Sequence, residues 1–483
     1  MEISHNILKR CAGLPLAINA VGGFLATKSN RYEDWAMLNQ SIGAELESDD
    51  ILGSLRLILL LSFNDLPYYL KSCLLYLTIY PADHLIQSNY LIRQWIMEGF
   101  VKQKVGRTVE QVAQGYLNEL ANKNLILVAR SKDDGSIKSF RIHDFLREML
   151  LSKSRDQSFL MIVNEQTNEC INKVRRLSIH GSWANFNPQR CGTKLRSLFA
   201  FGVTDLKSIS SIQELLNSCR MLKVLDLSRL PLESFPMAIT KLVLLRYLSL
   251  RRTKIKSLPR SIKKLQKLET LDLKHSCVTE LPVEILKLQN LRHLIIYRCV
   301  EYSYLPFDFV VGFKPPIGMG VLTSLYKLCF IEATPGIITE LGKMKELRRL
   351  CILKLRREDG KDFCSSIGKL KDLQALNISA TAENEILDLD HLSSPPASLE
   401  RLYMSGRLEN VPHWIKSLNN LVKVYFRWSQ LRDDPLEYLQ DLPNLVHLDL
   451  LVVNCLIIDV LVLIKKIIVE WTSIDQNTCG RSQ

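Results

Sequence analysis

Leu222-Lys-Val-Leu225-Asp-Leu227 is the first of four copies of one motif, and the first leucines of successive copies are 23 residues apart. The other copies are Leu245-Arg-Tyr-Leu248-Ser-Leu250, Leu268-Glu-Thr-Leu271-Asp-Leu273 and Leu291-Arg-His-Leu294-Ile-Ile296. Alternate residues of a strand face opposite sides of a sheet, so the spaced leucines of each copy would point inward and stack on those of the next copy. Four copies in phase therefore predict a solenoid with a parallel sheet along one side.

The repeat continues on both sides of this regular block with less constant spacing. Six further copies begin at Leu325, Leu347, Leu373, Leu399, Leu421 and Leu445, and two degenerate copies precede the block near Leu177 and Leu198. A second motif, Leu258-Pro259-Arg-Ser-Ile262, recurs in phase, and its isoleucine is expected to anchor the convex side after proline ends the strand segment. Residues 305–322 break the repeat with several Phe, Pro and Gly residues, which predicts an inserted loop.

The same alternation predicts which side chains of the strands face a partner. In the regular block the candidates are Tyr247, Arg251, Lys274, His293 and Tyr297, and a later cluster comprises Arg401, Tyr403, Lys423, Tyr425, Arg427 and Trp428. Tyr, Trp and Arg are favoured anchors of protein interfaces, so these positions are candidate partner-binding residues. An ordinary strand surface is the alternative interpretation.

The positive charge of the chain is concentrated in the regular block. The formal net charge is +13, and residues 223–298 carry 16 Lys and Arg against 6 Asp and Glu. Such a stripe attracts acidic protein surfaces, anionic lipid or nucleic acid, although a solvated flank of the solenoid is the simpler interpretation. Nucleic acid is not favoured as a partner because no recognition motif accompanies the charge. The 12 cysteines include no CxxC pair, so no metal site is predicted.

The first 150 residues have a different, largely helical pattern. Apolar residues at helical spacing predict helices over residues 92–100 and 109–120. Strand-like segments at 125–130 and 139–143 flank the turn Asp133-Asp134-Gly135. Helices followed by a two-stranded wing are typical of a winged-helix fold. The predicted fold class is therefore α/β, with a helical and winged-helix module followed by a leucine-rich-repeat solenoid.

Five short motifs stand in a fixed order before the repeats. They are Gly13-Leu14-Pro15-Leu16-Ala17, Lys71-Ser-Cys73-Leu-Leu-Tyr76, Tyr80-Pro81-Ala-Asp83, Leu91-Ile-Arg-Gln-Trp95-Ile-Met-Glu98-Gly99-Phe100 and Ile142-His143-Asp144. In sequence and order they resemble the motifs of plant nucleotide-binding leucine-rich-repeat (NB-ARC-LRR) disease resistance proteins, in which Met occupies the place of Ile142. The block from Cys73 to Asp83 is similar to that of the coiled-coil subclass. The resemblance covers nearly the whole chain.

The resemblance implies a division of the chain into five parts. Residues 1–50 would be the C-terminal remnant of the NB-ARC helical subdomain, 51–155 the winged-helix domain, 156–220 a linker with degenerate repeats, 221–452 the solenoid and 453–483 a divergent tail. By the same resemblance, Pro15 would lie near the adenine and His143 near the β-phosphate of bound ADP, with Asp144 supporting the histidine. A histidine that is simply paired with Asp144 is the alternative.

Nucleotide binding by this chain is expected to be weak. The phosphate-binding loop of the family, GxxxxGK[ST], does not occur in the sequence. The backbone N–H groups and the lysine of that loop make most contacts to the phosphates. ADP or ATP is therefore expected in intact family members, and no nucleotide is expected to be held stably by this chain.

The resemblance also implies a function in plant defense. The chain would be an N-terminally truncated innate immune receptor whose repeats sense a pathogen effector or a guarded host protein and restrain an ADP/ATP switch. The alternative is a regulatory or decoy repeat protein that acts in trans on the nucleotide-binding domain of a full-length receptor. The chain is not expected to be an enzyme by itself, since no catalytic arrangement stands out. A cytoplasmic location without a transmembrane segment is expected, with peripheral attachment to the plasma membrane left open.

Overall fold

A computed structural model describes residues 2–11, 15–25, 32–33, 35–36, 51–132, 135–164, 174–181, 194–299 and 307–451. The predicted turn residues Asp133 and Asp134 and the predicted tail 453–483 lie outside the described residues. The chain divides into two compact units, Met1–Asp226 and Leu227–Gln483. Within the described residues, no helix has the length and apolar character needed to cross a membrane.

The first unit contains the winged-helix module and the beginning of the repeats. Its described helices are α1 (Glu2–Arg10), α2 (Pro15–Leu25), α3 (Ile51–Asn64), α4 (Tyr68–Tyr76), α5 (Ser88–Glu98), α6 (Val109–Asn122), α7 (Asp144–Asp156) and α8 (Leu206–Ser218). Its described strands are β1 (Ile86–Gln87), β2 (Leu127–Ser131), β3 (Ile137–Arg141), β4 (Met161–Val163), β5 (Arg176–His180), β6 (Ser197–Phe201) and β7 (Val224–Asp226). A short 3-10 segment, Leu77–Ile79, follows α4.

The winged-helix prediction is confirmed in its helices and its wing. The two helices predicted over 92–100 and 109–120 are α5 and α6, and the two predicted strands are β2 and β3. Helix α6 begins with a capping box, in which Thr108 Oγ1 accepts from the Gln111 N–H at 3.2 Å and Gln111 Oε1 accepts from the Thr108 N–H at 2.9 Å. The small strand β1 completes an antiparallel sheet of order β1-β3-β2.

Both degenerate repeat copies form strands in the first unit. Strands β5 and β6 are parallel, with Leu177 opposite Leu198, and β7 follows in the same direction. Strand β4 pairs with β5 and adds a rung that the sequence did not predict. Its three residues, Met161-Ile162-Val163, lack the leucine spacing by which the other copies were found.

The second unit is the remaining repeat array. Its described strands are β8 (Tyr247–Ser249), β9 (Thr270–Asp272), β10 (His293–Ile295), β11 (Arg298–Cys299), β12 (Val310–Val311), β13 (Lys327–Glu332), β14 (Arg349–Leu355), β15 (Ala375–Ala380), β16 (Arg401–Ser405), β17 (Lys423–Arg427) and β18 (His447–Leu451). Its described helices are α9 (Pro335–Leu341), α10 (Gly360–Ile367) and α11 (Leu436–Leu439), and its 3-10 segments are Met237–Lys241, Arg260–Lys264, Val283–Lys287, Met319–Val321, Arg357–Asp359 and His413–Ser417.

Strands β8, β9, β10 and β13 to β18 form one parallel ladder in which equivalent leucines of the repeats are neighbours. Leu271 lies opposite Leu248 on one side and Leu294 on the other, and all three are 0% exposed. On the convex side, proline precedes the 3-10 segments Met237–Lys241, Arg260–Lys264 and Val283–Lys287. Their isoleucines Ile239, Ile262 and Ile285 are likewise 0% exposed. The predicted parallel sheet and the predicted convex anchors are both confirmed.

The insertion between two repeats is more ordered than the predicted loop. Strands β11 and β12 pair antiparallel, so part of the inserted stretch folds back as a ribbon. Phe313 is fully buried and its N–H donates to the carbonyl of Phe330 at 3.2 Å. A Cβ at Gly312 would lie 2.1 Å from the same carbonyl oxygen, which explains the glycine at this close approach. The prediction of a simple loop is therefore wrong for 310–313.

Two glycines in the first turns of helices provide a matched test of the packing between repeats. At Gly360 in α10, a Cβ would lie 2.0 Å from the carbonyl oxygen of Asp388, whereas at Gly336 in α9 no atom lies within 4 Å. We expect Gly360→Ala to lower the free energy of unfolding by about 1–3 kcal/mol, because backbone must move. Gly336→Ala should be neutral or stabilising by up to about 1 kcal/mol. Urea denaturation measures both, and equal effects would contradict the described packing.

Candidate functional site: the strand face of the repeats

Helix α5 of the winged-helix domain packs against strand β7 in the first unit. The side chain of Gln94 is 1% exposed, and its Oε1 accepts from Tyr80 Oη at 2.7 Å. Its Nε2 donates to Asp226 Oδ2 at the long distance of 3.5 Å. The outward-facing carboxylate of β7 is therefore engaged within the chain.

The last residue of α5 forms a buried cluster with strands β5 and β6. Arg176 Nε and Nη2 donate to Glu98 Oε2 at 3.0 and 2.8 Å, and Ser197 Oγ donates to Glu98 Oε1. The side chains of Glu98 and Arg176 are only 3% and 9% exposed. The guanidinium also lies over the rings of Phe100 and Phe159, at 5.0 and 4.2 Å from their centres. We call Glu98, Arg176 and Ser197 the Glu98 cluster.

A second set of contacts holds the end of the 3-10 segment that follows α4. The carbonyl of Ile79 accepts from Ser178 Oγ at 2.7 Å and lies 3.0 Å from His180 Nε2. The carbonyl of Tyr80 accepts from Arg147 Nε and Nη2 at 3.3 and 3.2 Å. Burial lowers the pKa of His180, so the neutral ring is favoured in this position. The strand face of the first repeats thus carries contacts to the winged-helix domain.

Sequence reasoning did not single out these contact residues. Glu98 and Arg176 are 78 residues apart, and no local periodicity links them. The sequence gives only a weak indication of these contacts. At alternate positions of a degenerate repeat, where the strand faces outward, the residues are polar: Arg176, Ser178 and His180.

In the regular block of the second unit, the predicted partner-binding residues differ in exposure. Tyr247 and His293 are buried, with 1% and 8% of their surface exposed. His293 Nδ1 lies 3.3 Å from Thr270 Oγ1 of the adjacent strand, and its ring packs edge-on against Tyr326. The exposure predicted for these two residues is wrong, because alternation gives the side of the sheet and not the depth of the side chain.

The other three residues of this block remain partly accessible. Arg251, Lys274 and Tyr297 have intermediate exposure. Arg251 Nε lies 3.7 Å from Asp272 Oδ1, and Lys274 Nζ lies 4.8 Å from the centre of the Tyr297 ring. These residues form the basic part of the strand face.

Five of the six residues of the later predicted cluster lie on strands β16 and β17, and strand β18 continues the same face. Tyr403 and Tyr425 lie opposite each other and stack at 4.3 Å, and the ring of His447 follows Tyr425 at 5.0 Å. Burial, with Tyr403 and then Asp449 adding to it, raises the pKa of Tyr425, so its phenol stays neutral. We call Tyr403, Tyr425 and His447 the aromatic ladder.

Charged residues border the aromatic ladder. Arg401 lies opposite Lys423 in the register of β16 and β17, and Arg427 Nη2 donates to Asp449 Oδ2 at 3.0 Å. The sequence prediction did not include His447 and Asp449, although the same alternation in the last copy places both of them outward.

Trp428 does not belong to this surface. It is 7% exposed, and its ring contacts Phe307 at 5.4 Å, so the exposure predicted for it is wrong.

The residues predicted to contact ADP lie at the N-termini of two helices. Pro15 is the first residue of α2, and its side chain lies outside the described residues. His143 is exposed and caps α7, where its Nδ1 accepts from the Phe145 N–H at 3.3 Å. The described contacts of His143 are thus to the backbone and not to the side chain of Asp144, which was the alternative interpretation. Asp144 is the exposed first residue of α7.

A cofactor site fits these residues only in part. An exposed imidazole at a helix N-terminus suits one contact to a phosphate group. The described residues around it include no glycine-rich loop that could hold the remaining oxygens. The described residues also contain no group of His, Cys, Asp or Glu side chains able to hold a metal ion.

Two protein families match the chain. The winged-helix domain of disease resistance proteins matches residues 79–150, and the leucine-rich-repeat region matches residues 194–463, which is more than half of the chain. Among solved structures, a leucine-rich-repeat protein of Leptospira interrogans is 21% identical, with a TM-score of 0.38, and the match covers 57% of this chain and 78% of that protein.

Curated relatives extend the similarity across both units. The disease resistance protein RPM1 of Arabidopsis thaliana is 38% identical over 447 residues, which covers 92% of this chain and 48% of RPM1. The disease resistance protein Pik-2 of Oryza sativa subsp. japonica is 33% identical over 494 residues, which covers 92% of this chain and 47% of Pik-2. The chain thus spans about half the length of these relatives. It belongs to the leucine-rich-repeat proteins and is a homologue of plant disease resistance proteins, with which it shares a winged-helix domain.

Proposed function

We propose that this chain is the winged-helix and leucine-rich-repeat portion of a plant immune receptor that acts in the cytoplasm. Its later repeats bind a protein, either a pathogen effector or a guarded host protein, through the strand face around the aromatic ladder. The first repeats serve a different purpose, because their strand face engages the winged-helix domain. The chain acts by binding and not by catalysis.

The aromatic ladder is the observation that carries this proposal. Its tyrosines offer large rigid rings of intermediate exposure, and such rings with neighbouring arginines are favoured anchors of protein interfaces. Arg427 and Asp449 add a charged pair at the border, with side chains 25% and 23% exposed, which suits specificity more than affinity. The similarity to disease resistance proteins supports a partner connected with defense.

Site-specific photo-cross-linking in plant cells tests this surface. p-Benzoylphenylalanine replaces Tyr403 in one variant and Val283 in the control, which lies on the convex side and is 60% exposed. We expect a discrete protein adduct from position 403 in pathogen-challenged leaves and none from position 283. The same adducts from both positions, or none from position 403, would refute the assignment of this face.

For nucleotide binding we propose that Pro15, near the adenine, and His143, near the β-phosphate, contribute weak contacts to ADP, with Asp144 beside the histidine. A single imidazole at a helix start cannot replace the phosphate-binding loop that the sequence lacks. We therefore expect no saturable ADP binding by the purified chain in isothermal titration calorimetry up to about 1 mM, which corresponds to about 4 kcal/mol of binding free energy. Stoichiometric ADP released from the purified protein by heat would contradict this expectation.

A further inference from the structure

The fold divides the basic stripe of residues 223–298 between two sides of the repeats. One set of cations lies on the convex 3-10 segments, where Lys263 and Lys264 are exposed. Another set lies where consecutive strand segments of the second unit end. It consists of Arg229, Arg251, Arg252 and Lys274, and we call it the strand-end cluster.

Backbone hydrogen bonds stack the members of this cluster on successive repeats. The Arg229 N–H donates to the carbonyl of Arg251 at 2.7 Å, and the Arg252 N–H donates to that of Lys274 at 2.9 Å. His275 continues the stack, since its N–H donates to the carbonyl of Tyr297 at 2.6 Å. Neighbouring strands are about 4.8 Å apart, so three rungs hold the backbone positions of these charges within about 10 Å.

Within the second unit, the cluster carries more positive charge than its carboxylate can balance. Asp272 Oδ1 lies 3.7 Å from Arg251 Nε and accepts from the backbone N–H of Lys274 at 3.1 Å, and its side chain is 0% exposed. Among the described residues, Arg229 and Arg252 form no ion pair, and both are exposed. Arg229 and Arg252 therefore carry positive charge that no ion pair balances among the described residues.

Burial is the first cause of the pKa shifts in the cluster, and repulsion among its cations is the second. Burial, followed by repulsion from Arg252 and Arg251, lowers the pKa of Arg229. Burial and then Arg251 lower the pKa of Lys274. His275 is affected most, because burial together with Lys274, Arg252 and Arg251 lowers its pKa to about 4. A bound anion would relieve the repulsion that these groups share.

The residues that follow the strands share one backbone conformation. Arg229, Arg252 and His275 have φ angles of 66°, 54° and 59°, in the left-handed region that favours glycine and asparagine. Side chains that can carry positive charge nevertheless occupy this position in three consecutive repeats. Lys354 and Trp428 take the same position in later repeats, with φ angles of 59° and 54°, so the conformation belongs to the repeat. The charge at this position, and not the backbone, distinguishes the cluster from the other repeats.

We propose that the strand-end cluster binds a compact anion that carries several phosphate groups. Guanidinium groups donate paired hydrogen bonds to phosphate oxygens, and four close cations match an anion of several charges better than a single carboxylate. The ring of Tyr297, which lies 4.5 Å from that of Phe330, borders the cluster with an apolar wall. An extended polyanionic surface would also engage convex cations such as Lys263 and Lys264, whereas a compact anion would engage the cluster alone.

Isothermal titration of the full chain with inorganic tripolyphosphate, at an ionic strength of about 0.15 M, tests the proposal. We expect one-to-one saturable binding. Arg229→Gln/Arg252→Gln should weaken the affinity about tenfold or more, because two donors of charge-assisted hydrogen bonds are lost. The matched control Lys263→Gln/Lys264→Gln removes the same charge from the convex side and should change the affinity less than about twofold. Melting temperatures verify that both variants fold.

Three outcomes would overturn the proposal. They are the absence of saturable binding, equal weakening by the two double variants, and a preference for polyglutamate over tripolyphosphate. Proton NMR gives a second readout, with the resonance of His275 assigned by His275→Gln. Bound tripolyphosphate should raise the pKa of His275 from about 4 towards its ordinary value, and an unchanged pKa would also refute binding at this cluster.

Vesicle binding distinguishes the two possible sources of such an anion, a lipid headgroup and a free anion. Phosphatidylcholine vesicles with and without phosphatidylinositol bisphosphate are compared by co-sedimentation. Binding that requires the bisphosphate lipid and is lost in Arg229→Gln/Arg252→Gln supports the proposal with a lipid headgroup as ligand. Binding of tripolyphosphate without vesicle binding supports it with a free anion as ligand.

Discussion

Glu98→Gln is expected to lower the free energy of unfolding of the first unit by about 3–5 kcal/mol. The substitution keeps the shape of the side chain but removes the charge that balances Arg176, whose side chain is 9% exposed. Leaving a buried cation without its partner costs far more free energy than breaking an ion pair on the surface. Urea denaturation followed by the fluorescence of Trp95, which is fully buried in the same helix, measures the loss.

Glu148→Gln is the matched control in the same unit. Its carboxylate lies 3.6 Å from Arg147 Nη1, but the side chain is 73% exposed, so the same substitution should cost about 0–1 kcal/mol. A Glu98→Gln protein as stable as the Glu148→Gln protein would contradict a structural role for the Glu98 cluster.

Phe426→Ala is expected to destabilise the second unit by about 3–5 kcal/mol. Phe426 is 0% exposed and lies between Tyr425 and Arg427 on strand β17, so its ring is on the core side of the sheet. Removing it leaves a cavity beneath the aromatic ladder in addition to the lost burial of the ring. Thermal and urea unfolding of the purified chain measure this effect.

Tyr425→Ala is the control for Phe426→Ala at the adjacent position. Its ring lies on the opposite side of the strand and stacks on Tyr403 at 4.3 Å, so its removal should cost about 1 kcal/mol. If both substitutions destabilised the unit equally, the assignment of the two sides of β17 would be wrong. If the expected difference is found, Tyr425→Ala can be used to test binding in a folded protein.

The parts of the fold that depend on local spacing could be predicted from the sequence. The step of 23 residues in the regular block predicted the parallel ladder, and the degenerate copies near Leu177 and Leu198 also formed strands. The proline before the 3-10 segments Met237–Lys241, Arg260–Lys264 and Val283–Lys287, and the buried isoleucine within each of these three, followed from the same repeat. In these regions each residue's environment is set by its neighbours in the adjacent repeats.

The parts that depend on distant pairing could not be predicted in the same way. Alternation placed Tyr247 and His293 on the outward side correctly but could not show that they are buried there. The pairing of Glu98 with Arg176 joins a helix to a degenerate repeat, and nothing in either segment specifies the other. The basic stripe was visible in the sequence, but its division between two sides of the repeats required the fold.

Resistance of edited plants tests the central claim, that the strand face of the later repeats recognises a defense-related partner. In the plant that encodes the chain, the gene is edited to Tyr403→Ala/Tyr425→Ala or to the convex control Val283→Ser. We expect plants with the first edit to lose resistance to at least one pathogen isolate at unchanged protein level, while the control plants keep it. Full resistance to every isolate in plants that accumulate the Tyr403→Ala/Tyr425→Ala protein normally would contradict it.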